Sequence, residues 1–122
     1  MALHSWIHAL KYYIEVRDRA GESNCYVNLG LAYHRLGDYT KAIDYQEKAL
    51  EIKKEIGDRA GESNCYVNLG LAYVSLGDYT KDINYQEKAV NIAKEIGDRA
   101  GESNCYVNLG IAYHILVKQL LI

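Results

Sequence analysis

Proline and phenylalanine are both absent from the 122-residue chain, and tryptophan and methionine occur once each. An interior proline costs a helix about 3 kcal/mol, so a chain without one is free to be helical nearly everywhere. An excess of charge of one sign is missing as well: 14 Lys and Arg against 16 Asp and Glu leave a formal net charge of -2. That removes the electrostatic footprint of a nucleic-acid binder. No like-charge block long enough to act as a tail interrupts the chain, and Lys53, Lys54 and Glu55 simply mix signs. Long apolar runs are lacking too. Residues 1–16 are broken by His4, His8 and Lys11, which argues against a signal peptide. The apolar tail over 111–122 falls well short of the ~20 residues of a bilayer span. The expectation is a soluble, cytoplasmic protein of one domain, with no nucleic-acid or membrane partner.

What the chain does contain is repetition. Cys25, Cys65 and Cys105 follow one another at intervals of 40 residues, and their neighbours recur with them. Asp18 to Tyr33 (DRAGESNCYVNLGLAY) returns unchanged as Asp58 to Tyr73, and again as Asp98 to Tyr113 with Ile111 in place of leucine. A period in this range signals a solenoid, whose units cannot bury their apolar faces alone and must stack. Each period reads as two helices. The first spans about Arg19 to Leu36, with Tyr26, Leu29, Tyr33 and Leu36 as an amphipathic stripe. Gly37 ends it as a left-handed terminator, and Asp38 caps the second helix, about Tyr39 to Ile56. That helix carries Ala42, Ile43, Ala49, Leu50 and Ile52 as its buried set. The short turn between the two makes them antiparallel. Gly30, in mid-helix, costs roughly 1 kcal/mol against alanine and makes sense where a partner helix comes close.

The spacing Tyr26-x-x-Leu29-Gly30-x-x-Tyr33, followed by Gly37-Asp38-Tyr39, Ala42 and Ala49, resembles the tetratricopeptide repeat. HEAT and armadillo repeats share the period but not this Leu-Gly, Tyr, Ala spacing. Over nearly its whole length the chain is similar to the extended, 40-residue type found in Pins-like adaptors and rapsyn. The resemblance implies an all-α fold, a right-handed α-α superhelix of antiparallel helix pairs, with six helices here. It also implies a non-catalytic scaffold that binds a protein or peptide and needs no cofactor. In that family the first helix of each unit lines the concave surface, which here assigns Asn24, Val27, Asn28 and Leu31 from the first copy. Asn64, Val67, Asn68 and Leu71 come from the second, and Asn104, Val107, Asn108 and Ile111 from the third. An asparagine ladder of this kind could hold the backbone of an extended peptide, or serve only in hydrogen bonds between helices or as a solvated helix face. The carboxylate-clamp activity of some members does not carry over, because Val27 and Leu31 stand where lysine and a second asparagine are required.

Counting back one period, Ala2, Leu3, Ala9 and Leu10 fall on Ala42, Ile43, Ala49 and Leu50. The single domain over 1–122 therefore divides into an orphan second helix (1–16), two full repeats (19–56 and 59–96) and an orphan first helix (99–121). Val117 and Lys118 replace the Gly-Asp stop, so the last helix should run on to about Leu121, longer than its siblings. Apolar residues at the two ends, Leu3, Trp6 and Leu10 at one and Ile115, Leu116, Leu120 and Ile122 at the other, suggest self-association. The contact would be head-to-tail or a symmetric pairing of the last helices. The alternative to a peptide-binding scaffold is accordingly a self-assembling homo-oligomer without a ligand of its own. A further departure is Asp82, which stands where Ala42 fills a close-packed slot. It reads as drift in the repeat or as a pH-sensitive weak point.

Catalytic and metal-binding readings find little support. Equivalent cysteines in stacked units lie about 10 Å apart, beyond the reach of a disulfide, and read as small buried thiols in a reducing compartment. His4 and His8 are one helical turn apart, but no third ligand accompanies them, so no zinc site is expected. Glu22, Glu62 and Glu102 sit at helix starts, where the dipole favours them without any chemistry. No Gly-rich phosphate loop, HExxH or Ser-His-Asp arrangement is present. The chain is expected not to be an enzyme.

Overall fold

The computed structural model describes residues 2–121, so Ile122, one of the expected self-association residues, lies outside it. Six α-helices follow in order: α1 (Ala2–Glu15), α2 (Arg19–Arg35), α3 (Tyr39–Glu55), α4 (Arg59–Ser75), α5 (Tyr79–Ile96) and α6 (Arg99–Leu120). Each helix packs on the next in sequence, and α2 also meets α4, so the architecture is an all-α stack of sequential helix pairs.

One aspartate makes each turn. The backbone N–H of Asp18, Asp38, Asp58, Asp78 and Asp98 reaches back to close the preceding helix, donating to Tyr13, Tyr33, Lys53, Tyr73 and Ala93 respectively. The carboxylate of the same residue accepts from the backbone N–H three positions on, at 2.9–3.2 Å, and so caps the following helix. The residue before each aspartate must enter the left-handed region. Gly37, Gly57, Gly77 and Gly97 do so at φ 73–80°, whereas the first turn uses Arg17 at φ 57°. With no such pair at 117–118, α6 runs for 22 residues against 17 in α2 and α4.

The core is shared across units. Tyr66, Ile83, Ala89, Val90, Ile92, Cys105, Leu109 and Ala112, drawn from α4, α5 and α6, form one buried cluster, and Ile43, Leu69 and Ala72 form another. No unit completes its core alone, which is why the copies must stack. Tyrosine does the work that phenylalanine would otherwise do. In the first hairpin Tyr45 lies stacked between Tyr26 (6.1 Å) and Tyr33 (5.5 Å), and in the second Tyr85 lies between Tyr66 (6.0 Å) and Tyr73 (5.7 Å). Each stacked pair adds about 0.5–1.5 kcal/mol beyond the area it buries.

One expectation changes and another is sharpened. Leu36 does not belong to the buried stripe of the first helix: it and Leu76 sit at the C-caps, 66% and 52% exposed, because the chain has already left the helix there. The partner helix does come close at Gly30 and Gly70, chiefly through its side chains, with the Asp82 backbone carbonyl 3.4 Å from a Cβ on Gly70. A Cβ on Gly30 would fall 2.6 Å from Gln46 Nε2, and one on Gly70 would fall 2.6 Å from Asp82 Oδ1 and 2.7 Å from Gln86 Nε2.

Candidate peptide-binding groove

The residues assigned to the inner surface occupy equivalent positions on α2, α4 and α6. Asn24, Asn64 and Asn104 are exposed; Val27, Asn28, Leu31, Val67, Asn68 and Asn108 are half-buried; Leu71, Val107 and Ile111 are exposed again. Between successive copies of the first helix lie two hollows related by one repeat. The first, of about 100 Å3, is lined by Gly30, Leu31, His34, Ala42, Gln46, Asn68 and Leu71. The second, of about 190 Å3, is lined by Leu71, Val74, Tyr79, Asp82, Asn108, Ile111 and Ala112. Leu71 is the wall common to both. The structure thus brings together Leu31, Asn68 and Leu71 in one hollow and Leu71, Asn108 and Ile111 in the other.

The asparagine ladder is partly engaged. Asn68 Nδ2 donates to Gln46 Oε1 at 3.4 Å and Asn108 Nδ2 to Gln86 Oε1 at 3.3 Å. Each glutamine in turn donates from Nε2 to a backbone carbonyl of its own hairpin, Gln46 to Val27 at 3.1 Å and Gln86 to Val67 at 3.4 Å. Asn28 differs because Trp6 occupies the position that a glutamine would hold on α1; its Nδ2 donates instead to the Asn24 carbonyl within α2, at 2.9 Å. Gln46 and Gln86 are almost wholly buried and escaped the sequence reading, although the repeated Tyr-Gln-Glu-Lys-Ala at 45–49 and 85–89 was a usable signal. A polar residue repeated one turn before the alanine of the buried face needs a partner.

The two hollows differ in charge. Where the first has Ala42, the second has Asp82, 2% exposed, accepting from Gln86 Nε2 at 3.1 Å. Burial pushes its carboxyl above the ordinary aspartate range, and the Gln86 amide only partly offsets this. A third hollow, of about 280 Å3, lies next to Asn24, Val27 and Asn64. There the buried Lys53 donates to Asn24 Oδ1 at 2.6 Å and pairs with Asp58 at 3.2 Å. Asp58 is held below the usual carboxylate range, chiefly by the Gly61 N–H and then, against burial, by Lys53.

The other singled-out residues lie elsewhere. Leu3, Trp6 and Leu10 are half-buried on α1, at the opposite end of the stack from Ile115 and Leu116, also half-buried, and Leu120, which is 84% exposed. The His4 and His8 rings meet edge to face at 4.8 Å. Cys25, Cys65 and Cys105 are buried free thiols, all pushed upward by desolvation, Cys65 to about 12. That suppresses the thiolate needed for nucleophilic chemistry. No helix among the described residues is long and apolar enough to cross a membrane.

The tetratricopeptide repeat profile matches the chain over residues 1–55, 23–95 and 61–119. No curated protein shows significant sequence similarity to it. Among solved structures, the chain is similar to a signal transduction ATPase with numerous domains (STAND) protein with a tetratricopeptide repeat sensor, from Pyrococcus horikoshii. The identity is 27% and the TM-score 0.84, over 91% of this chain and 17% of that one. It also resembles BtubC (BKLC) from P. vanneervenii in fold, at 24% identity and a TM-score of 0.83, over 92% of this chain and 47% of the other. The chain therefore spans less than half the length of either.

Proposed function

The chain belongs to the tetratricopeptide repeat family, whose repeats generally mediate protein–protein interactions, and from this premise we propose that it binds an extended peptide along the face formed by α2, α4 and α6. The observation that carries the reading is the pair of repeat-related apolar hollows on either side of Leu71. With equivalent helices of successive units about 10 Å apart, on the order of a helix-packing distance, and an extended chain rising about 3.3 Å per residue, anchors entering the two hollows should sit three residues apart. Oδ1 of Asn68 and of Asn108 would accept from the peptide backbone between them, while one Nδ2 hydrogen of each stays on its glutamine. Val27, Val67 and Val107, with Asn24, Asn64 and Asn104, would line the margin. In this reading the chain is a non-catalytic, cytoplasmic adaptor of the extended repeat type seen in Pins-like proteins and rapsyn; the buried, free thiols support a reducing compartment.

An array of N-acetylated heptapeptides carrying two leucines at spacings from i, i+2 to i, i+5 tests this proposal. The i, i+3 set should bind best, and Leu71→Asp should weaken binding at least tenfold with an unchanged circular dichroism spectrum. Equal binding across all spacings would sink the proposal. A second reading, self-association through the terminal helices, rests on Val117, Leu120 and Leu121, which are 54%, 84% and 81% exposed at the end of α6. Leu3, Trp6, Leu10, Ile115 and Leu116 are less available to it, being half-buried already. Solution mass measured against concentration decides that reading.

A further inference from the structure

Four charged side chains are buried among the described residues: Glu22, Lys53, Glu62 and Asp82. Three of them have a counter-ion. Arg19 holds Glu22 at 2.9 Å, Arg59 holds Glu62 at 2.8 Å, and Lys53 meets Asp58 at 3.2 Å. Asp82 pairs with no cation among the described residues. Lys81, beside it in sequence, turns away, with Nζ 4.8 Å from the centre of the Tyr73 ring and 4.0 Å from Asp78 Oδ2. A buried acid without a counter-ion is costly, and this one stands in the wall of the second groove hollow.

The carboxyl has one oxygen to spare. Oδ1 accepts from Gln86 Nε2 at 3.1 Å and lies so near Gly70 that a Cβ there would be 2.6 Å away. Oδ2 receives no hydrogen bond among the described residues, and no side-chain oxygen among them that is shut off from solvent goes without one. Oδ2 therefore opens onto the hollow that Asp82 lines. The rest of that wall is mostly apolar, with Leu71, Val74, Ile111 and Ala112, and the hollow is the roomier of the two, about 190 Å3 against 100 Å3. The first hollow has no acid in its wall. It carries Ala42 at the aspartate position and His34 at the position of Val74.

Resting on the peptide groove proposed above, we infer that its two hollows take unlike anchors: a leucine-type side chain enters beside Ala42, and a lysine enters beside Asp82 with its ammonium on Oδ2. The lysine stem packs along Leu71, Val74 and Ile111, as long basic side chains do over apolar surface, and the ammonium supplies the counter-ion that the chain itself withholds. Burial disfavours the charged carboxyl in the free chain, and a cation on Oδ2 favours it again. A single free oxygen suits the point charge of lysine better than the fork of arginine, which is matched to two acceptors. In the first hollow the same lysine would meet His34 and no carboxylate. Asp82 is thus a specificity-determining residue that fixes the register of the peptide.

The test is a calorimetric titration of the full chain with end-blocked heptapeptides on serine spacers. The set holds Leu-x-x-Leu, Leu-x-x-Lys and Lys-x-x-Leu, with each lysine peptide matched by one bearing norleucine at the same position. The better of the two lysine orders should bind at least fivefold tighter than both the dileucine peptide and its own norleucine match. Asp82→Asn keeps the volume and an acceptor for Gln86, and Asp82→Ala remakes the first hollow. Both should abolish the preference for lysine while holding the dileucine peptide at least as tightly as before. Lysine peptides no tighter than their norleucine matches overturn the inference, and dileucine binding in the same series leaves the groove standing. A lysine preference that survives Asp82→Asn overturns it too, because it would then reflect attraction to a chain of net charge -2. Failure of every peptide to bind removes the groove, and this inference with it.

Discussion

Asp82 and its neighbours show how one residue sets the character of a pocket. Gln46 donates to its backbone acceptor at 3.1 Å, whereas Gln86, sharing its amide with Asp82, does so at 3.4 Å. The carboxyl is favoured in the fold only when protonated, since burial raises its pKa above that of the unfolded chain. The stability it contributes is therefore full below the unfolded aspartate pKa and is lost as pH rises through the folded one. Asp82→Ala, which recreates the Ala42 environment, should stabilise the chain by about 1 kcal/mol at neutral pH. The advantage should shrink towards acid, as read from urea midpoints at several pH values. The sequence displayed Asp82 as a departure from the repeat, but not its partner, because a glutamine amid charged neighbours reads as a surface residue until the opposing glycine is placed against it. The asparagines are the converse case. Their alignment was visible, yet the commitment of Asn68 and Asn108 to Gln46 and Gln86 depends on a glutamine 22 positions earlier, on another helix.

At the scale of the helix, boundaries were the most legible feature, because each is written in two adjacent residues whose physics is local. A left-handed glycine and an aspartate that both closes and caps suffice to end one helix and begin the next. Burial within a helix was less legible: Leu36 and Leu76 continue the apolar period but fall where the backbone has already turned outward. The same logic makes α6 open to manipulation. Val117→Gly combined with Lys118→Asp should end the helix near Leu116 and strip amide-exchange protection from residues 117–120. Protection in α2 to α5 should stay as it was. Retained protection at 117–120 would mean that packing, and not the missing stop, extends α6.

For the molecule as a whole, the three copies of one sequence made the stack readable, since a unit that cannot bury its own face fixes how its neighbours must lie. What could not be read was the space left between successive units. The hollows between α2, α4 and α6 arise from the space between units, and their walls (Ala42 or Asp82 with Leu71) come from residues far apart in sequence. The groove is a product of the assembly, set between copies. The groove is the centre of the functional account. Its most direct test is an amide chemical-shift map of the chain titrated with the best i, i+3 dileucine heptapeptide. Shifts concentrated at Leu31, Asn68, Leu71, Asn108 and Ile111 are expected. Shifts confined to the outer faces of α3 and α5, or no shifts at saturating peptide, would contradict it.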